Sequence, residues 1–457
     1  MRAAVLDVIP RYLITGRRVA GSSFGGVKGR DQVPSLVQRY LDGHARRVPA
    51  WAPGRTARAA LGFPAVQRFD HERRRARLAL RHHLAPSAKA RGVAALAGDL
   101  AGLHATDPAS VVLAARARLE SAELRSIEDA LYVERSIVRI LGMRRTMFVV
   151  PVELAPVVQA ACTRALLPGE RRRFVAQLES GGVADDGERW LVEAEQATLA
   201  ALAARGEATA AELSQDVPAL RAKIAVAQDK PYAAVQGVST RVLFLLAAGG
   251  HIARGRPLGS WTSTLYRWAP MATWLPDGIA ELSTEDAAAE LVRRWLAAFG
   301  PGTLADLKWW TGWTMGLLKR ALARVETTEV ALDGDGVGLV LAGDDEPDAQ
   351  PAPWAALLPA LDPTAMAWKE RDWYVGEHRA ALFDRSGNIG PTVWWAGRIV
   401  GGWAQRKDGE VVVRLLEDVG ADATGAVKAE AERLRAWLGE VRVTPRFRTP
   451  LERELAA

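Results

Sequence analysis

The sequence has almost no cysteine. Cys162 stands alone among 457 residues, so no disulfide can form within one chain, and a thiol with no motif around it reads as a small core hydrophobe. That usage fits a reducing compartment. No stretch reaches the roughly 18 apolar residues of a membrane span. Asp7 and Arg11 interrupt the apolar residues of MRAAVLDVIPRYLITGRR before they make a secretory core. A cytoplasmic chain is expected. Zinc spacings are missing, because the 7 histidines form no HExxH or HxxxH pair. So are a Walker or dinucleotide glycine loop and a GxSxG elbow. The expectation is a protein with no metal, no nucleotide cofactor and no membrane partner.

What is present is ordinary globular composition, 49% hydrophobic and 25% charged, in a chain long enough for three or four domains of roughly 100–150 residues. The net charge of +7 is unevenly placed. Residues 1–75 carry 15 Lys+Arg against 5 Asp+Glu, leaving 45 against 48 for the rest. DNA affinity in the ordered part must therefore come from local patches. Segment 1–67, rich in Arg and Gly, reads as a basic, poorly ordered arm with one short helix near Pro34–Leu41.

Beyond it a pattern repeats. In unit 68–183, FDHERRRARLALRHHLA reads as a basic helix. GVAALAGDLAGLHA places Val93, Leu96, Leu100 and Leu103 on one helical face. Asp107-Pro108 opens ASVVLAARARLES with an N-cap and a proline at N1. Ser126-Ile-Glu-Asp129 looks like a capping box, and RILGMRRTMFVVP reads as a strand or hairpin. Unit 184–278 repeats the order through helix 187–204, a capping box at Thr209, helix VSTRVLFLLAAG and a basic wing strand, HIARGRPLG. Unit 279–343 is the cleanest: helix 284–298, a box at Thr303, a turn at Gly312, a second helix, then two strands joined by Asp333-Gly-Asp-Gly336. Helix, short helix, turn, helix, hairpin is the winged-helix pattern. GDDEPDAQPAP (343–353) is an acidic linker. Segment 344–457 reads as short strands, a helix at 422–439 and a last strand, VRVTPRF, together a small β-barrel with a helix. The fold class is α+β: three tandem winged-helix units and a small C-terminal β-barrel domain.

The segment Leu103-His104-Ala-Thr106-Asp107-Pro108 stands between two helices, at an N-terminus that favours an anion. Asp107 and Thr106 both suit a cap, and His104 suits an ordinary core or surface position. Arg144 and Arg145, Arg171 to Arg173, Arg73 to Arg75, and Arg254 and Arg256 are basic runs that suit phosphate or a solvated face. Trp309, Trp310 and Trp313 suit packing, and Trp394, Trp395 and Trp403 suit the interior of the barrel or its mouth.

GLHATDPASVVLAARARL resembles the segment of AlkZ/YcaQ-type DNA glycosylases that carries a QxQ or QxD motif between two helices. RRTMFVVP resembles the strand after the first unit of that family. LLPALDPTAMAWKERDWY and GPTVWWAGRIVGGWAQR resemble its C-terminal signature at Asp362, Pro391, Gly397, Gly402 and Trp403. The resemblance spans residues 68–445. It implies three winged-helix units and a barrel, a double-stranded DNA partner, a monomer, and bacterial DNA repair at the nucleoid. It also implies monofunctional hydrolysis of the N-glycosidic bond of alkylated bases, with His104, Thr106 and Asp107 at the reaction centre. This chain departs from the motif, with His104 and Thr106 where the family has Gln and Gln or Asp. His104 can orient or deprotonate water, and Thr106 can hold it, but a protonated His104 would oppose a cationic sugar. The alternative is a non-catalytic, regulatory winged-helix DNA-binding protein that keeps the scaffold.

Overall fold

The computed structural model describes residues 67–226 and 234–457. The expected basic arm, with its helix near Pro34–Leu41, lies outside them except for its last residue. The ordered chain starts at β1 (Arg68–Phe69) and the helix His71–Arg81, which Asp70 caps through the backbone N–H of Arg73.

One sequence of elements then recurs three times. Helix Val93–Asp99 leads into β2 (Leu103–His104), helices Pro108–Arg116 and Leu124–Tyr132, and the hairpin β3 (Ile137–Leu141) and β4 (Met147–Pro151). The sheet order is β2-β4-β3. Helix Gly187–Arg205 leads into β5 (Ala208–Thr209) and helix Ala210–Asp216. An inserted hairpin, β6 (Lys223–Val226) and β7 (Ala234–Gly237), precedes helix Val238–Ala248, β8 (Ile252–Pro257) and β9 (Tyr266–Pro270). That sheet runs β5-β9-β8. The third pass has helices Thr284–Phe299, Leu304–Thr311 and Met315–Leu322, then β10 (Thr327–Leu332) and β11 (Val337–Leu341). Here the short strand shrinks to one bridge, Gly302 to Leu339, and β1 joins the other edge, parallel to β10.

Local chemistry explains the boundaries. Asp107 accepts from Ala109 N with Pro108 at the first helical position. The capping boxes at Thr209 with Glu212 and Thr303 with Asp306 have both reciprocal bonds. Gly312 takes φ +75°, which a tight turn between two helices needs. Two expectations shift. The helix from Val93 stops at Asp99, because Ala101 and Gly102 turn through positive φ and swing Leu103 into the sheet. The helix expected at Ser126 starts at Leu124, since the Ser126 hydroxyl donates to the Glu123 carbonyl and makes no box.

The C-terminal domain corrects the barrel. Strands β12 (Ala355–Leu358), β13 (Thr392–Trp395), β14 (Arg398–Gln405) and β15 (Val411–Leu415) form an antiparallel sheet in that order, open at β12 and β15. Helix Gly420–Leu438 packs on β12, β13 and β15, so a helix covers the face that further strands would have enclosed. Trp394 and Trp403 are buried in this layer and Trp395 is half-buried, with no barrel interior to fill. VRVTPRF is not a strand. The Gln405 side-chain amide donates to the Val441 carbonyl and accepts from Val443 N, taking the place of a strand partner, and Pro445 has no N–H to continue a ladder.

One buried cluster fastens the repeats to this domain. The Arg118 guanidinium donates to both Asp362 oxygens at 2.9 and 2.7 Å, and to Thr364 Oγ1 at 2.8 Å. Both charged side chains are fully buried. Thr364 also meets His82 Nδ1, whose ring bonds the Ala298 carbonyl through Nε2. Burial and the Arg118 charge push the His82 pKa well below the usual imidazole range.

The arginines of the first helix do a second fastening job. Arg77 and Arg81 pair with Asp344, Arg77 also pairs with Asp348, and Arg73 donates to the carbonyls of Asp345 and Glu346. Arg74 lies over Trp373, and Arg75 bonds the Trp373 carbonyl. The basic run at 73–75 is thus spent on the acidic linker and on Trp373, where a phosphate contact had been open.

Asp362→Ala leaves Arg118 charged and buried with no counter-ion, and is expected to cost roughly 3–5 kcal/mol in urea unfolding. A cost below about 1 kcal/mol would contradict the role given to the pair. His82 has its folded pKa below the free value of 6.5. The unfolded chain therefore takes up the proton first. The stability it contributes is complete above about pH 6.5 and falls as pH drops, by up to ~1.4 kcal/mol per pH unit. Thermal melts between pH 7 and pH 5 should show a falling Tm.

Candidate functional site

The expected reaction segment is an edge of the first sheet. Leu103 faces Val149 across β2 and β4, and His104 faces Phe148. On the other side of β4, Arg139 faces Val149 and Ile140 faces Phe148. Residues directly opposite share a sheet face, and successive rows alternate. His104 and Phe148 therefore lie on one face, and Arg139 on the other.

His104 is 5% exposed, with its ring 5.1 Å from Phe148. Its Nδ1 is shielded and has no hydrogen-bond partner among the described residues. Burial first, and then the Arg144 charge, lower its pKa to about 3. The imidazole is neutral across the physiological range. The ladder extends one step further, Ala105 N donating to the Met147 carbonyl. Thr106, half-buried at a bend just past the strand, stays at this edge, where its Oγ1 accepts from Met147 N at 3.3 Å.

Asp107 goes the other way. Its Oδ1 accepts from Ala109 N at 3.1 Å and its Oδ2 from Arg446 N at 2.8 Å. Burial raises its pKa against these bonds, which lower it. It is a helix cap and a tie to the C-terminal domain, and it lines a cleft with Ser110, Ala360, Trp403 and Gln405. Arg139 stands near it, donating to the Ala105 carbonyl at 3.1 Å. The Tyr266 ring carries Arg139 at 4.8 Å and Arg254 at 5.3 Å. The three residues expected together are thus separated, His104 on one face, Asp107 beside Arg139 on the other and Thr106 at the strand edge.

The candidate phosphate contacts also divide. Arg145 pairs with Glu170, and Arg171 with Glu188 and Glu195 at 2.7 and 2.8 Å. Arg256 pairs with Glu128 at 3.1 Å. Arg172 is exposed on helix Leu167–Ser180. Arg144 and Arg254 have no carboxylate within salt-bridge distance among the described residues; each lies over aromatic rings. Arg144 sits 4.0 Å over Trp309, which Arg371 approaches to 4.6 Å. Trp310 and Trp313 are buried in the core, while Trp309 is half-buried. Burial pushes the Cys162 thiol up to about 12, which keeps it protonated.

Arg139, Tyr266, Arg371 and Arg446 carried no signal in the sequence. Each is a single polar residue in an apolar or turn-rich context, and only the fold gathers them. No cluster of three or more potential metal ligands occurs among the described residues. No described helix is long and apolar enough to cross a membrane.

Comparison with known proteins fits this architecture. Residues 97–437 match the family model described as DNA glycosylase AlkZ-like. The solved structure of Streptomyces sahachiroi DNA glycosylase AlkZ superposes with a TM-score of 0.63 at 22% identity, over 82% of this chain and 98% of that one. A short stretch also resembles curated S-(hydroxymethyl)glutathione dehydrogenases. It is 54% identical over 39 residues to one from Schizosaccharomyces pombe, 8% of this chain and 10% of that protein. It is 65% identical over 34 residues to one from Komagataella pastoris, 7% of this chain and 9% of that protein. The chain spans about a tenth of the length of those relatives, which is less than a domain and carries no argument for their activity. With the family model covering three quarters of its length, the chain belongs to the AlkZ-like DNA glycosylase family.

Proposed function

We propose that this protein is a monofunctional DNA glycosylase that removes N3- or N7-alkylated or bulky purines from duplex DNA, with His104 and Thr106 holding the attacking water. The reading takes the three repeats as tandem winged-helix units, bounded near residues 68–183, 184–278 and 279–343, with the C-terminal domain over 344–457. In each, a short strand or bridge after the first helix pairs with the last strand of the hairpin, as a winged helix requires.

The observation that carries it is the neutral imidazole of His104, its Nδ1 unpartnered among the described residues, with the Thr106 hydroxyl two residues on at the same strand edge. An alkylated purine is cationic and leaves with the electron pair of the C1′–N bond, which neutralises it. The positive charge passes to the sugar. The oxygen of water then bonds to C1′ and its proton goes to solvent. A histidinium beside that sugar would repel it, whereas a neutral ring can accept a hydrogen bond from the water without adding charge. With its pKa near 3, His104 is too weak a base to act mainly by proton removal. Asp107 fixes the segment from the opposite face.

The low exposure of His104 favours a second reading, a regulatory DNA-binding protein that keeps the scaffold. Base release separates the two. Wild type should release 7-methylguanine from alkylated duplex DNA. His104→Ala should lower the rate by about 100-fold or more, the scale of losing a positioned polar group at a reaction centre, and Thr106→Val should lower it less. No release from alkylated DNA, together with tight binding to undamaged duplex, would favour the regulator. The neutral ring also fixes the pH dependence, since His104 protonates only as pH falls toward 3. The rate should show no inflection assignable to His104 between pH 5 and 8. An inflection near pH 6.5 that vanishes in His104→Gln would sink this role.

A further inference from the structure

We infer that Arg144 and Arg371, held over Trp309, form a seat for one DNA backbone phosphate beside the reaction segment, and that Arg371 is a substrate-positioning residue. The inference rests on the reading that this chain acts on DNA.

The seat is costly for the protein on its own. Arg144 has φ +53°, in the left-handed region that a side chain with a Cβ avoids, and Arg145 follows at +61°. The Cα of Arg144 packs so close to Gly312 that a Cβ there would lie 3.3 Å away, so the turn between two helices of the third repeat holds the β3–β4 turn in place. Burial and the neighbouring Arg371 charge lower the pKa of Arg144 to about 10. Arg371 is 3% exposed, and the Met366 sulfur at 3.8 Å is its one side-chain hydrogen-bond partner among the described residues. The Nε of both guanidiniums is shielded and has no partner among the described residues. Among the described residues neither has a carboxylate within salt-bridge distance, whereas many other arginines do.

Strain, desolvation and like charge thus meet at one point, offset by the Trp309 ring and, for Arg371, by the Phe383 ring and the more distant charges of Asp306 and Asp372. No anion among the described residues is in direct contact with either guanidinium. Two planar forks match the oxygens of a phosphodiester. The reaction also needs one there. The Arg144 charge reaches His104 strongly enough to lower its pKa, so uncompensated it would oppose positive charge developing on the sugar. A phosphate on Arg144 and Arg371 offsets part of that charge and fixes the nucleotide in the same contact. Arg144 comes from the first repeat, Trp309 from the third and Arg371 from the C-terminal domain, so the seat exists only when all three are docked.

The test is the salt dependence of binding to an undamaged duplex, which does not depend on base release. For Arg144→Asn and Arg371→Gln, the slope of log Kd against log salt should fall by about one each, with weaker binding to every sequence alike. Arg294→Gln, which removes an exposed arginine paired with Glu290, should leave the slope as it is. Asn tolerates the left-handed region better than Arg, so Arg144→Asn should melt no lower than wild type while binding DNA less well. Arg371→Lys keeps the charge and covers the case in which Arg371→Gln fails to fold; it should keep most of the slope but bind several-fold more weakly. Folded variants with the wild-type slope would overturn the seat. Wild type that binds no DNA would overturn the parent reading instead.

Discussion

The bidentate pair between Arg118 and Asp362 is the contact on which the arrangement of repeats and C-terminal domain depends. Both side chains are fully buried, so each charge is tolerable only with the other in place. Thr364 and His82 extend the contact to the end of helix Thr284–Phe299 through the Ala298 carbonyl. One cluster therefore joins the residues before the first repeat, the first and third repeats and the C-terminal domain. The tie from Asp107 to Arg446 N and the linker across Arg73, Arg77 and Arg81 act in the same direction. A site assembled from three parts of the chain needs such a joint, because small rotations would separate Arg144 from Arg371.

Arginine does two kinds of work here, and its partner tells them apart. Where it meets carboxylate it fastens the fold, as at Glu170, which Arg145, Arg173 and Arg241 share. Where it lies over aromatic rings, as Arg144, Arg371 and Arg254 do, its charge has no carboxylate within salt-bridge distance among the described residues. Those arginines lie on either side of the sheet edge that carries His104. The net charge of the chain would not have located them, since beyond residue 75 it is slightly negative.

Much of the scaffold was legible in the sequence because it rests on local rules. Capping boxes at Thr209 and Thr303, the cap at Asp107 and the turn at Gly312 are set within four residues, and all hold in the structure. The readings that failed depended on distant partners. VRVTPRF alternates like a strand, yet its partner is the Gln405 side chain. The expected barrel stays open because helix Gly420–Leu438 takes the covering position. Spacing alone could suggest His104 and Thr106 as a pair. It could not show that Asp107, one residue on, turns to the opposite face, or that Arg371, more than 200 residues away, reaches the same neighbourhood.

The central claim is that the His104 face of the β2–β4 edge, and not the Asp107 face, meets the damaged nucleotide. A structure of the protein bound to duplex DNA carrying a cationic pyrrolidine in place of one sugar would test it most directly. The account predicts the pyrrolidine nitrogen beside a water held by His104 and Thr106, with an adjacent phosphate on Arg144 and Arg371. A duplex seated against Asp107, Arg139 and Tyr266, with His104 still shielded, would contradict it.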